Sequence, residues 1–521
     1  MSDLADVVAL VQREPGRTAL ELRDQLRRLG RVSITIADIL RILTGNPNRF
    51  QASCGPEASG STRWSPRQEA GGLLPPPVVA PWPGPPLYRW QVAALLAWRA
   101  QGERGVIEAV TGTGKTMVGI AAAYDELARG GQVAVVVPTK DLLYQWQAAL
   151  RWLLASTVEI GLVGDCHDDG LGHRDVVVAV VNSVRGGQLV PRRPGGLLVA
   201  DECHRYGSLE NRAALGEGFP RRLGLSATYA RADDAHESLL DPYFGGRCFR
   251  MGYDQALRDG VIAPFRVALV GVRFSEEEYA DYDEFGVEMA IARVKLLRSG
   301  VVRAEPVGAF LTDVARLSRG NSELASSALG YLRAMSERRR LLAETPAKQA
   351  VLGALGEVVR SSRRSIVFTQ GIAAAERASG VLGALGIASE ALHSGLSSGR
   401  RRDLLARFSA GQLTVLCAPT VLDEGVDVPA ADLAIIVAAS RSRRQMVQRL
   451  GRVLRRKADG RAARLVVLTV EGTAEDPASG AHEGFLDEIT PVAIDLRHFP
   501  AGSEPGLLSA YLLNGNLRRV A

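Results

Sequence analysis

The sequence predicts an α/β chain of two parallel-sheet domains, joined by a helical segment and preceded by a small separate unit. Two sets of apolar, β-branched runs predict it, one from residue 87 and one from about residue 364. Each set alternates with helical stretches. A charged, helix-patterned segment ("SEEEYADYDEFGVEMAIARVKLL") lies between them, over about 273–350. Strands alternating with helices in this way indicate a parallel sheet covered on both faces.

The N-terminal unit, residues 1–66, carries three short helical patterns. Leu4, Val7, Val8 and Val11 share one face. Thr18 followed by Glu21 is a capping-box pattern, with Leu20, Leu22, Leu26 and Leu29 following the threonine. Thr35 opens "TIADILRIL", with Ile36, Ile39, Leu40 and Leu43 apolar. Turn residues flanked by aromatics then read as a hairpin. Three helices and a hairpin resemble a winged-helix domain, with Ser33, Thr35 and Arg41 near a groove and the Arg49/Arg63 hairpin as the wing. The plainer alternative is a small helical domain that docks a protein partner. Proline density in "PPPVVAPWPGPP" makes residues 67–86 a stiff, extended linker.

The first α/β domain is assigned to 87–272, with strands expected at 105–110, 132–138, 175–181, 196–200 and 221–225. The connector or insertion occupies 273–350. The second domain covers 351–470, on the runs "RSIVFT", "LTVLCAP", "DLAIIVAA" and "ARLVVLTV". Residues 471–521 form an extension that packs on the second domain or reaches a partner.

Composition sets outer bounds. The 521 residues are 46% hydrophobic and 23% charged, with net charge +6, an ordinary globular balance. That mild excess permits a polyanion partner without demanding one. Five cysteines without a C-x-x-C pair argue against a disulfide framework, a zinc ribbon or an iron–sulfur cluster. The N-terminus lacks the basic-then-apolar order of a signal peptide, and no apolar run approaches the roughly 20 residues of a membrane span. An intracellular, cytoplasmic protein without a membrane partner is expected, nucleoid-associated if bacterial.

Chemistry first shows in "EAVTGTGKT", 108–116, between an apolar run and a helical one. Strand, glycine-rich loop and helix is the context of a phosphate loop. Gly112 and Gly114 let successive N–H groups point at phosphate oxygens, and the helix adds its positive end. Thr111 and Thr113 lie in the same loop. Lys115 can reach the β- and γ-phosphates, and the Thr116 hydroxyl can ligate Mg²⁺. Ala109 stands where the strict pattern has glycine.

"LLVADECHRYG", 197–207, ends a strand in two acids. Ligands gather at the carboxyl ends of parallel strands, so Asp201 is placed to hold Mg²⁺ and Glu202 to polarise the attacking water. A zinc site would need more ligands than Cys203 and His204 supply. Cys203 reads as a small buried filler.

"AVTGTGKT", "DECH", "GLSAT" and "QRLGRVLR", in this order, resemble the superfamily 2 helicases and translocases. "VVVPTKDLLYQW", "LGLSATYARADD", "ALRDGVIAPF" and "TPAKQAVL" bring the resemblance to the XPB-like group of DNA repair helicases. It covers residues 87 to about 470. It implies two RecA-like domains with ATP and Mg²⁺ bound between them. Arg89 and Gln91 match the segment that reads adenine. His204, Ser226 and Thr228 match the element coupling hydrolysis to domain movement. Arg452 and Arg455 match the arginine fingers, Gln448 a γ-phosphate contact, and Gly425 and Asp427 cleft residues. Thr139, Ser183, Gln370, His393 and Thr420 match loops that grip a nucleic-acid backbone. The basic runs Arg400–Arg402 and Arg455–Lys457 add attraction or, for the first, form a solvated helix face. Ala232 departs from the glutamate of the group's Arg-Glu-Asp element.

The resemblance therefore implies an ATP-dependent DNA helicase or translocase of repair or genome defence. A double-strand translocase without unwinding, an RNA helicase and a non-catalytic nucleic-acid-binding regulator are the alternatives. A protein partner on the N-terminal unit or the C-terminal extension is also open.

Overall fold

The computed structural model describes residues 3–13, 17–29, 50–54, 62–66, 82–154, 158–172, 174–187, 189–229, 236–305, 307–419, 431–438, 453–457 and 459–513, with Thr35, Ile39, Ile42, Leu43, Met446, Leu450 and Gly451. The chain divides into two compact units, 1–79 and 80–521.

In the smaller unit, helices Asp3–Arg13 and Ala19–Arg28 flank a short strand, Arg17–Thr18. That strand pairs antiparallel with Thr62–Pro66, which pairs antiparallel with Phe50–Cys54. Val7, Leu10, Val11, Leu22, Leu26, Ile39 and Leu43 form the core, so the helical spacing in the sequence marks the buried faces. Ser33, Arg41 and Arg49 lie outside the described residues.

The larger unit holds two sheets. The order in the first is Arg247–Met251, Arg104–Ala109, Arg221–Ser226, Leu197–Asp201, Val133–Val137, Val176–Val180, Ile160–Gly164 and the two-residue His167–Asp168. All pairs are parallel except the last. The central strands are buried on both faces, which is why they read as unbroken apolar runs. Arg247–Met251 ("RCFRM") is a half-exposed edge strand and left no such run.

The second sheet runs Ser389–Ala391, Val415–Ala418, Ser365–Phe368, Leu433–Ile436, Ala463–Val470, Phe265–Val272 and Asp495–Phe499, with every pair parallel. Phe265–Val272 corrects the expected boundary at 272. It lies between Ala463–Val470 and Asp495–Phe499, so the chain has already entered the second sheet by residue 265. A strand's apolar run shows that it is buried, not which sheet buries it.

The helical segment is thus an insertion within the second lobe rather than a bridge between the lobes. Its helices are Glu276–Arg298, Val307–Leu317 and Glu323–Glu344. The first is started by a capping box: Glu278 N donates to Ser275 Oγ at 3.2 Å, and Ser275 N to Glu278 Oε2 at 2.9 Å. Leu296, Val302, Phe310, Val314, Ala328 and Tyr331 give the insertion a core of its own.

The extension after 470 packs back on this lobe. Asp495–Phe499 adds the outer strand, and helix Pro505–Leu513 buries Leu508, Tyr511 and Leu512. Tyr511 Oη donates to the Val267 carbonyl at 3.1 Å. An internal ion pair ties the end of the insertion to the same region. Lys348 Nζ, fully buried, donates to Glu475 Oε2 at 2.6 Å. Among the described residues no helix is long and apolar enough to cross a membrane.

Candidate nucleotide and nucleic-acid site

The phosphate loop leaves the Arg104–Ala109 strand and enters helix Lys115–Ala128. Gly112 and Gly114 have φ of +83° and +87°, where a side chain is strained, so the loop's bend depends on both glycines. Thr113 Oγ1 donates to the Val110 carbonyl at 2.8 Å and Lys115 Nζ to the Ala109 carbonyl at 2.9 Å, bracing the loop from inside. Burial pulls the Lys115 ammonium below its usual pKa, while the Glu202 and Asp201 carboxylates push the other way. Gln91, 2% exposed, donates from Nε2 to the Gly114 carbonyl at 3.0 Å. Its Oε1 accepts from Tyr88 N at 2.8 Å. The residue expected to read adenine is thus fixed against the loop, and Arg89 beside it is exposed.

Asp201 ends its strand at 6% exposure. The phosphate-loop strand is not its neighbour: Arg221–Ser226 lies between them. That strand delivers Ser226 to the gap. Ser226 Oγ donates to the Thr228 carbonyl at 2.8 Å and accepts from Thr228 N at 3.1 Å. With the serine proton so used, His204 Nδ1, 2.9 Å from Ser226 Oγ, must carry its own. The same nitrogen lies 3.4 Å from Glu202 Oε2. His204, Ser226, Thr228 and Glu202 therefore form one network. Glu202 itself has φ +49°, a strained left-handed conformation for a residue with a side chain. Cys203 is buried in the core with Ala200 and Tyr206, and burial pushes its thiol pKa well up.

Asp201 has a partner that the sequence reasoning missed. Trp146 Nε1 donates to Asp201 Oδ2 at 2.8 Å, and both side chains are buried. Glu108 was missed as well. It accepts from Tyr229 N at 3.3 Å and Arg247 at 2.6 Å, fastening the segment after Thr228 to the phosphate-loop strand. The only signal for either was a polar group in an apolar run, which does not name its partner.

The second lobe reaches this loop. A Cβ built on Gly112 would lie 2.7 Å from the Gly451 carbonyl and 3.4 Å from Arg455 Cγ. Arg455 is held by its backbone: it bridges Ile262, and Ala263 N donates to the Leu454 carbonyl at 2.7 Å. Gln448, Arg452, Gly425 and Asp427 lie outside the described residues, as do Thr420 and Ala232. Thr116 and Asp201 offer the hard oxygens that Mg²⁺ prefers, and the left-handed glycines shape an anion cradle beside them, so the residues fit Mg·ATP.

Thr139 and Ser183 follow neighbouring strands that end in register, Val137 opposite Val180. Thr139 caps helix Lys140–Leu153, its Oγ1 accepting from Leu142 N at 3.4 Å. Ser183 and Gln370 are exposed. His393 is not: it is 8% exposed, with Nε2 3.6 Å from Glu376 Oε1. In the basic runs Arg400, Arg402 and Arg456 are exposed, but several of these side chains are paired within the chain. Arg400 pairs with Asp403 at 3.0 Å and Glu390 at 3.3 Å. Arg456 donates to the Gly260 carbonyl at 3.2 Å, and burial draws Lys457 down to about 8.

Two parallel-sheet lobes, a phosphate loop and acidic strand on one, and an arginine of the other against that loop define a two-lobe helicase motor of superfamily 2. Within that class, the chain is similar to proteins of the XPB-like group. A family model described as "Type III restriction enzyme, res subunit" matches residues 85–231, and one described as "Helicase conserved C-terminal domain" matches 348–457. The chain is 29% identical to the DNA 3′-5′ translocase XPB2 of Sulfurisphaera tokodaii, over 74% of this chain and 82% of that one. It is 29% identical to the putative DNA 3′-5′ helicase Rad25 of Haloarcula marismortui, over 71% of this chain and 50% of that one. To the DNA 3′-5′ helicase XPB of Mycobacterium tuberculosis it is 23% identical, over 74% and 61%. The chain thus spans only half to three-fifths of the latter two relatives. The fold is also that of Saccharomyces cerevisiae Dbp5 bound to RNA and ADP BeF3, with TM-score 0.54 and 14% identity over 82% of this chain and 93% of that one.

Proposed function

We propose that this chain is an ATP-dependent DNA helicase or translocase, in which hydrolysis at the cleft moves the two lobes against each other along DNA. The observation that carries the reading is the seating of Gly451 and Arg455 against Gly112 of the phosphate loop. A site split between two lobes converts the chemical state of one nucleotide into their relative position. Lys115 holds the β- and γ-phosphates, and Thr116 and Asp201 hold Mg²⁺, which neutralises phosphate charge. Glu202 orients and polarises the attacking water. Arg455, with Arg452 and Gln448, stabilises charge in the transition state. His204, Ser226 and Thr228 transmit the change at the γ-phosphate to the strand between the two halves of the site. Thr139 and Ser183 grip the DNA backbone from the carboxyl edge of the first sheet, which gives affinity without sequence preference. The partner is DNA because the relatives are named for acting on it, and repair or genome defence is the setting that fits. The N-terminal unit, read as a winged helix, positions the motor.

The test is ATP turnover without polymer and with single-stranded DNA, double-stranded DNA or RNA. Strong stimulation by DNA is expected. Stimulation by RNA alone would replace the substrate assignment, and absent turnover under all conditions would favour a non-catalytic regulator. Glu202→Gln should keep nucleotide binding and abolish turnover.

A further inference from the structure

The Trp146–Asp201 hydrogen bond has no part in the chemistry described so far, yet it is built with care. A buried indole N–H needs an acceptor, and a buried carboxylate needs donors. Here each supplies the other, at 2.8 Å, between residues 55 positions apart. Asp201 Oδ1 is taken by Glu202 N at 3.0 Å, so both carboxylate oxygens are oriented. The indole is wedged as well as bonded. A Cβ built on Gly119 would lie 2.6 Å from Trp146 Cη2, 3.1 Å from Leu225 Cδ1 and 3.3 Å from Val199 Cγ1. The ring therefore fills the space between the phosphate-loop helix, the acidic strand and the strand of Ser226. The helix bearing Trp146 starts at Thr139, one of the candidate DNA contacts.

We infer that Trp146 is a positioning residue for the nucleotide site: its indole aims the Asp201 carboxylate, and its helix joins that carboxylate rigidly to the loop at Thr139. This rests on reading Asp201 as the metal side of the ATP site. A load on the loop at Thr139 shifts the helix along its axis. Trp146, locked against Gly119, cannot swing aside, so Asp201 follows. DNA contact and metal geometry are then two ends of one stiff element, a physical connection rather than mere spatial intermediacy.

The test measures equilibrium binding of a non-hydrolysable ATP analogue with and without Mg²⁺, alongside DNA-stimulated turnover. Trp146→Phe keeps most of the packing and removes the donor. Its binding without Mg²⁺ should match the parent, while the strengthening by Mg²⁺ should fall about tenfold, the order for losing one hydrogen bond to a charged group. kcat with DNA should fall with little change in KM for ATP. Gly119→Ala keeps the indole but crowds it out of place, and should move both readings the same way. Asp201→Asn, run in parallel, separates the two ideas. If it keeps the Mg²⁺ effect, the metal-site reading fails. If it loses the effect while both other variants, folded, retain it, the inference about Trp146 is overturned.

Discussion

Gly451 of the second lobe approaches Thr111 of the phosphate loop so closely that a Cβ built on the glycine would overlap the threonine side chain. No residue with a side chain fits there without parting the lobes. Gly451→Ala should therefore leave nucleotide binding by the first lobe within a few-fold of the parent and lower DNA-stimulated turnover at least tenfold. Paired measurements of analogue affinity and kcat check this. Parent-like turnover would show that this approach is not needed for hydrolysis.

The buried Lys348–Glu475 pair makes a different prediction. Burial draws the Lys348 pKa down and the Glu475 carboxylate pushes it up. Lys348→Met strands the carboxylate, and breaking such a pair from one side costs about 3–5 kcal/mol. The double change Lys348→Met with Glu475→Leu should recover most of that loss. Urea unfolding of the single and double variants is the measurement, and equal losses in both would contradict it.

Asp313 supplies a pH dependence. It accepts from Arg303 Nε at 2.8 Å, from a second guanidinium nitrogen at 3.0 Å and from the Arg303 backbone N at 3.2 Å. These bonds hold its carboxyl down, from 3.8 to about 2. A depressed carboxylate stabilises the fold above the unfolded value and loses that contribution as pH falls through the folded one. The stability difference between the parent and Asp313→Asn should be constant above about pH 5 and shrink between pH 4 and pH 2. A difference independent of pH in denaturant titrations would refute the ion pair.

Much of the motor was legible in the sequence because its signals are local. Gly112, Gly114 and Lys115 declare a phosphate loop by backbone freedom and charge within a few residues. Asp201 declares itself by ending an apolar run. What was not legible depends on partners far along the chain. Nothing in the apolarity of "FRVALVGV" tells which sheet takes Phe265–Val272, since either would bury it equally well. The indole of Trp146 reads as one more core aromatic until Asp201 stands opposite it. His393 has the composition of a surface contact and the burial of a core residue, because Glu376, on a separate helix, lies beside its ring.

The chain crosses from one sheet to the other at Ile262 and Ala263, where it is stitched to Leu454 and Arg455. If hydrolysis moves the lobes against each other as proposed, this crossing is where they pivot, and Arg455 sits beside the pivot. Displacements near a pivot are small, so its guanidinium would have little distance to travel, while the outer rims of the lobes would sweep a long arc.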